Sequence, residues 1–189
     1  TAIDGGGPSS ANPAEGGDLF NPNISATGRL AAEAVERDSD IWRAKIDGSG
    51  AAPVIRSTFD DYDAAPSPDG ARIAFVSVRS GTPEVWVANS TGDGATRISS
   101  FRGPELGGPL WSPDGPRIAL RARGKGFAEA YVIGFDGGQP MRIAGARGVH
   151  HVPIGWNASG SQLLIASGAG AGWRIRRHDL RSGRSSDIV

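Results

Sequence analysis

The stretch Ser67-Pro68-Asp69-Gly70-Ala71-Arg72-Ile73-Ala74 returns as Ser112-Pro113-Asp114-Gly115-Pro116-Arg117-Ile118-Ala119. A looser copy reads Asn157-Ala158-Ser159-Gly160-Ser161-Gln162-Leu163-Leu164, and a shorter one Ser25-Ala26-Thr27-Gly28-Arg29-Leu30-Ala31. The glycines fall at 28, 70, 115 and 160, so the spacings are 42, 45 and 45 residues. A second mark runs in phase: Ile41-Trp42, Val85-Trp86, Ala130-Tyr131 and, slightly displaced, Gly172-Trp173. Two marks in register establish an internal repeat.

Each copy reads as four short strands. The first ends on an aromatic in the later copies, Leu110-Trp111 and Gly155-Trp156. A turn follows: proline presets φ for its first central position, aspartate suits the second, and glycine takes the left-handed position. The second strand is apolar: Ile73-Ala74-Phe75-Val76, Ile118-Ala119-Leu120, Leu163-Leu164-Ile165-Ala166. A glycine-containing loop leads to the third, which carries the aromatic, and an Asp-Gly type turn to a short fourth strand such as Arg97-Ile98 or Arg142-Ile143. Four strands in about 45 residues are the mark of a β-propeller blade, whose faces are covered only by stacking on neighbours. A sandwich built on the same repeat is the rival arrangement. The predicted fold is all-β, a propeller of about four four-stranded antiparallel blades.

Composition agrees. Glycine and proline are 42 of 189 residues, about 22%, against a usual ~12%, which opposes long helices. With no cysteine, disulfides and thiolate metal sites are excluded. No apolar run approaches the ~18 residues of a membrane span. Formal net charge is zero, which argues against a nucleic-acid partner. The neutrality is a sum of opposites. Residues 1–63 hold eleven acids and five bases, a net of −6, and the remainder nine acids and fifteen bases, a net of +6. The two ends are therefore expected to attract, within one chain or between chains.

The run Ser-Pro-Asp-Gly-x-Arg-Ile-Ala-Phe at 67–75, then Arg79-Ser80-Gly81 and Val85-Trp86-Val87, resembles the WD-like repeat of TolB-type propellers. The resemblance spans roughly residues 20–189. The segments Ser57-Thr58-Phe59-Asp60-Asp61-Tyr62 and Ser100-Phe101-Arg102-Gly103-Pro104 are similar to propellers fused to winged-helix regulators of the CadC kind, where the propeller is a sensory or interaction module. TolB itself is a periplasmic protein that binds a peptidoglycan-associated lipoprotein. The resemblance alone favours a periplasmic or other extracytoplasmic location.

The repeat divides the chain into residues 1–20, the end strand of a preceding blade plus a glycine-rich loop, and blades at 21–63, 64–107, 108–152 and 153–189. Members of the resembled family generally have more blades. The expectation is therefore a segment of a longer propeller. A closed small propeller, or an open arc whose edges pair with another copy, are the alternatives.

No motif supplies chemistry. Ser159 lacks the nucleophile-elbow glycines and belongs to a blade turn, and Gly124-Lys125-Gly126 lacks the rest of a phosphate loop and falls in a hairpin. Asp69 and Asp114 read as turn caps rather than metal ligands. His150 and His151 are adjacent and point apart in extended chain, while His178 sits among arginines on a strand expected to be solvated. No metal or cofactor is implied. Functional residues are sought instead on the connections between blades, Thr58–Ala64, Phe101–Leu110 and Ala146–Pro153, which gather on one face near the axis. They offer Phe59, Asp60, Asp61, Tyr62, Arg102, Glu105, Arg147, His150 and His151 as a loop face for a protein or peptide. The leading expectation is a non-catalytic binding module. A substrate-gating propeller segment of a prolyl-oligopeptidase-like enzyme and a self-assembling scaffold with open edges are the other two.

Overall fold

The computed structural model describes residues 18–24, 30–35, 39–44, 47, 49–143 and 145–188. The chain divides into two units, residues 1–38 and 39–189. In the first, β1 (Asp18–Ile24) pairs antiparallel with β2 (Leu30–Val35). The register slips between Phe20 and Asn23, where Pro22 has no N–H to give to a ladder. β1 begins at Asp18, so the strand takes in the last three residues assigned above to the glycine-rich loop. The rest of that loop, the strand expected at Thr1-Ala2-Ile3-Asp4, and the turn around Gly28 lie outside the described residues.

The second unit opens with a two-stranded sheet, β3 (Ile41–Arg43) and β4 (Ala52–Ile55). Three four-stranded meanders follow. They are β5 (Asp61–Pro66) to β8 (Thr96–Arg97), with β6 at Arg72–Ser77 and β7 at Glu84–Asn89; β9 (Glu105–Trp111) to β12 (Gly137–Arg142), with β10 at Arg117–Arg123 and β11 at Ala128–Gly134; and β13 (His150–Trp156) to β16 (Ser185–Asp187), with β14 at Gln162–Ala169 and β15 at Gly172–Asp179. All pairing is antiparallel. The first strands of successive meanders lie beside one another, β5 by β9 and β9 by β13. The sheets stack face to face as the blades of a propeller.

The repeated turn explains its own residues. Gly70, Gly115 and Gly160 adopt φ of 69°, 92° and 68°, a left-handed region costing an L side chain about 1–2 kcal/mol. Their N–H groups donate back to the carbonyls of Ser67, Ser112 and Asn157 at 2.9, 2.9 and 3.0 Å. The first motif residue has a part the sequence reading missed. Ser67 Oγ accepts from Arg72 N–H at 2.9 Å and Ser112 Oγ from Arg117 N–H at 3.1 Å. In the looser copy Asn157 Oδ1 accepts from Gln162 N–H at 2.9 Å. Asn and Ser are thus interchangeable here, because each offers one oxygen at the right reach.

The motif's Ile-Ala-Phe and Ile-Ala-Leu endings are a two-sided code. Along β6, Ile73 and Phe75 join the core formed with Ile41 and Ile55, while Ala74 and Val76 join the core shared with the next sheet. Along β10, Ile118 and Leu120 face the core with Val85 and Val87, while Ala119 faces the one with Leu163 and Ile165. Large side chains point to the preceding blade and small ones to the following blade. That is how two adjacent sheets of identical pattern interdigitate.

One polar contact fixes the stacking. Trp111 donates its indole N–H to the Ala65 carbonyl at 2.9 Å, and Trp156 repeats this to the Leu110 carbonyl at 3.1 Å. Donor and acceptor are 46 residues apart in both cases, so each bond bridges successive blades.

The structure corrects the reading of His178. It is buried, not solvated. Its Nδ1 lies 2.8 Å from Ser185 Oγ, and burial lowers its pKa from the ordinary 6.5.

Two predictions follow from these contacts. Trp111→Phe keeps an aromatic ring but loses part of the indole's volume and the donor to the Ala65 carbonyl, and lowers unfolding free energy by at least about 1 kcal/mol in urea titration; Trp156→Phe does the same to the Leu110 carbonyl. The unfolded chain protonates His178 near pH 6.5 and the folded chain only at lower pH. Stability therefore falls as pH drops below about 6.5, and His178→Gln shows a shallower decline between pH 8 and 5.

Candidate binding face

The end of the stacked sheets where β5, β9 and β13 begin carries two sets of loops. One set is the blade-to-blade connections, and the other is the hairpins β6–β7, β10–β11 and β14–β15. The connections are shorter than the sequence suggested. Asp61 and Tyr62 lie in β5, Glu105 in β9, and His150 and His151 in β13, leaving Phe59, Asp60, Arg102 and Arg147 outside strands.

The repeat sorts these residues by depth. Asp61, Leu106 and His151 stand 45 residues apart at the start of their strands, Asp61 as the first residue of β5 and the other two as the second of β9 and β13, and all three are buried. Each pairs across the ladder with Ser77, Ala122 or Ser167, also 45 apart. In the middle blade this pair is apolar. In the others a polar residue brings its own partner, as burial requires. Asp61, 1% exposed, receives Arg79 Nη2 at 2.8 Å on both oxygens and the Ser57 hydroxyl at 2.8 Å. The Arg79 guanidinium lies 5.1 Å from the Trp86 ring centroid and 5.3 Å from that of Phe75. His151 contacts the Ala146 carbonyl through Nε2 and Ser167 Oγ through Nδ1, both at 2.9 Å. A carbonyl only accepts, so Nε2 carries the proton and Nδ1 takes the serine hydroxyl. Asp61 and His151 therefore turn inward.

The preceding position, Asp60, Glu105 and His150, stays at the rim. Asp60 and His150 are half-buried and Glu105 is exposed. Glu105 pairs with Arg121 at 3.4 Å. Tyr62 lies near the same group. Burial raises its phenol pKa first, and the neighbouring carboxylates of Asp63 and Glu105 raise it further. Phe59, Arg102 and Arg147 are exposed.

Backbone strain concentrates on this face. Among the described residues the non-glycine positions with positive φ are Asp63, at 52°, and Arg102, at 58°. Asp63 holds its place by accepting Gly108 N–H at 2.9 Å. Arg102 is held by Glu84, a residue the sequence reading passed over. Glu84 is 1% exposed. Its carboxylate accepts from Phe101 N–H at 3.0 Å, Arg102 N–H at 2.9 Å and the Ser99 hydroxyl. Ser99 Oγ in turn accepts Val85 N–H at 2.8 Å. The one available signal was its place, an acid opening the apolar strand that bears the Val85-Trp86 mark.

Phe127 and Trp173 were also missed. They reach the rim from the β10–β11 and β14–β15 hairpins and flank His150. Among the described residues no three His, Asp or Glu side chains gather as a metal site, and no helix is long and apolar enough to cross a membrane.

Rigid stacked blades presenting a strained, polar rim of connections define a β-propeller module. The TolB beta propeller domain model matches residues 19–188, and the chain belongs to that family. A TolB homolog from Chlorobium luteolum is 34% identical over 84 residues, covering 44% of this chain and 19% of that protein. The crystal structure of TolB from Acinetobacter baumannii is 26% identical, with a TM-score of 0.63, covering 78% of this chain and 37% of that one. The chain thus spans well under half the length of these TolB relatives. A puromycin-hydrolyzing peptidase from Mycobacterium tuberculosis, 16% identical with a TM-score of 0.58 over 94% of this chain and 32% of that one, shares the fold.

Removing the Glu84 carboxylate frees the connection it caps. In Glu84→Ala, the amide hydrogens of Phe101 and Arg102 exchange at least about tenfold faster, as expected when a charged hydrogen bond worth ~1.5–3 kcal/mol is lost.

Proposed function

We propose that this chain is a non-catalytic sensory or interaction module that binds a protein or peptide through the rim formed by Phe59, Asp60, Tyr62, Arg102, Glu105, Arg147 and His150. The observation that carries this reading is Arg102. A buried carboxylate holds its backbone in a left-handed conformation, while its side chain remains exposed. Strain of this sort costs of order 1–3 kcal/mol and persists where surrounding structure enforces it, commonly at ligand contacts. Preorganisation also reduces the ordering cost of binding. The mixed charge of the rim, with Asp60 and Glu105 beside Arg102 and Arg147, suits a polar partner surface better than a lipid or nucleic-acid backbone.

Family membership supports an extracytoplasmic setting for this module. The wording of residues 57–62 and 100–104 supports a sensory role like that of regulator-linked propellers.

Peptides selected from a displayed random library on the wild-type chain provide the test. Arg102→Ala weakens their binding at least about fivefold, the ~1 kcal/mol threshold of an interface contributor, whereas Arg97→Ala on the outer strand β8 does not. Unchanged affinity in Arg102→Ala, Tyr62→Phe and Glu105→Gln together would sink the rim as the binding face.

A further inference from the structure

Three rings meet where the last two blades adjoin. Phe127 sits edge-on to His150 at 5.1 Å between centroids and 74° between planes. Trp173 lies nearly parallel to the same imidazole, at 6.0 Å and 14°. Both are large apolar side chains left open, Phe127 44% and Trp173 48% exposed. Their blades hold them there by backbone pairing. Ala128, next to Phe127, pairs with Arg123, and Trp173 pairs with Gly168, which also pairs with His150. Because Gly168 has no side chain, no side-chain atoms stand between the His150 and Trp173 positions on that face of the sheet.

His150 is set chemically as well as sterically. Its Nδ1 receives the Ala128 N–H at 3.0 Å. A ring nitrogen that accepts a hydrogen bond carries no proton, so the proton resides on Nε2. No described residue accepts from that Nε2–H. The result is one ring donor without an acceptor among the described residues, beside two exposed aromatic rings.

The surroundings are basic. Arg123 and Lys125 belong to the hairpin that carries Phe127, and Arg147 to the turn before His150; none has an ionic partner among the described residues. The nearby acids are already matched. Glu105, opposite Arg123 in the ladder, pairs with Arg121 at 3.4 Å, Glu129 is paired with Arg142, and Asp187 is shared by Arg174 at 3.2 Å and Arg176 at 2.8 Å. The segments 123–129, 145–151 and 170–174 contain no Asn or Gln, the neutral amides that would read the hydroxyls of a sugar.

We propose that the Phe127–His150–Trp173 slot binds an acidic peptide segment bearing an aromatic ring. The ring packs on Trp173 and Phe127, a peptide carbonyl or carboxylate accepts the His150 Nε2–H, and flanking carboxylates meet Lys125, Arg123 and Arg147. Aromatic contact supplies area at low entropy cost, and unpaired cations supply orientation and sign selectivity. This assignment rests on the binding reading above and names the class of partner for one part of that face.

The probe is a capped hexapeptide of alternating glutamate and phenylalanine, titrated into the whole chain and followed by tryptophan fluorescence and calorimetry. It binds saturably. Binding falls at least about tenfold in Trp173→Ala, as for an interface anchor, and weakens with rising salt. Trp173→Ala keeps a cooperative thermal transition, since about half of the ring is open to solvent, so its loss of binding is not loss of the fold. Lys125→Gln with Arg147→Gln weakens binding without touching the rings. A lysine–phenylalanine hexapeptide and a glutamate–glycine hexapeptide fail to bind. Absence of saturable binding by the wild type, equal binding of the lysine peptide, or an unaffected Trp173→Ala variant would overturn the proposal. So would tighter saturation by a uronate hexasaccharide, which would make the slot a carbohydrate site. The wider rim is judged separately, since ligands lost in Arg102→Ala but kept in Trp173→Ala uphold it without this slot.

Discussion

A four-stranded sheet has two faces and can cover neither alone, so every blade here depends on its neighbours. The Trp111 and Trp156 indoles make that dependence specific. Apolar packing between sheets is tolerant of small rotations and slides. A hydrogen bond from a ring at the end of a first strand to a backbone carbonyl in the preceding blade is not. Repeating at an identical spacing, it sets how one sheet lies on the next. The large-toward-preceding, small-toward-following alternation of Ile73-Ala74-Phe75 and Ile118-Ala119-Leu120 then fills the space that remains. Register and volume are thus solved by the same short segment in each copy.

Once the stack is fixed, the connections inherit its rigidity. Position 61 and its equivalents 106 and 151 must go inside, and the chain accepts Asp, Leu or His there only with a fitting partner. Asp61 needs Arg79, and Arg79 in turn lies over Phe75 and Trp86. Glu84 plays a comparable part without a cation. Backbone N–H groups and a hydroxyl satisfy its charge, an arrangement stabilised by the strength of charge-assisted hydrogen bonds. Buried polarity therefore serves to hold loops in one conformation and leaves the remaining rim side chains exposed or half-buried.

Strain and exposure coincide on that outer rim. Asp63 and Arg102 occupy backbone conformations that side chains avoid. Both are anchored by contacts reaching back into the blades, Asp63 to the next first strand and Arg102 to Glu84. Rigid blades below and polar, aromatic and charged groups above make a surface whose shape is decided before any partner arrives.

The fold was largely legible in the amino-acid sequence, because its determinants are local. The Ser-Pro-Asp-Gly turn, the apolar run after it and the aromatic of the third strand act within a few residues of one another, and repetition makes them visible. The rim was only half legible. Asp61 and His151 looked like exposed loop residues and lie inside, and His178 looked solvated and is buried, because their surroundings come from partners 7 to 18 residues away in the ladder. Glu84 and Phe127 carried no motif, and Trp173 was marked only as the displaced aromatic of a third strand. The sequence by itself determined the repeat, the turns and the alternation of each strand, since these follow from backbone preference and side-chain period. Only the tertiary structure decided which polar side chains turn inward and which rings meet, since that depends on stacking one blade on the next and bringing together residues tens of positions apart.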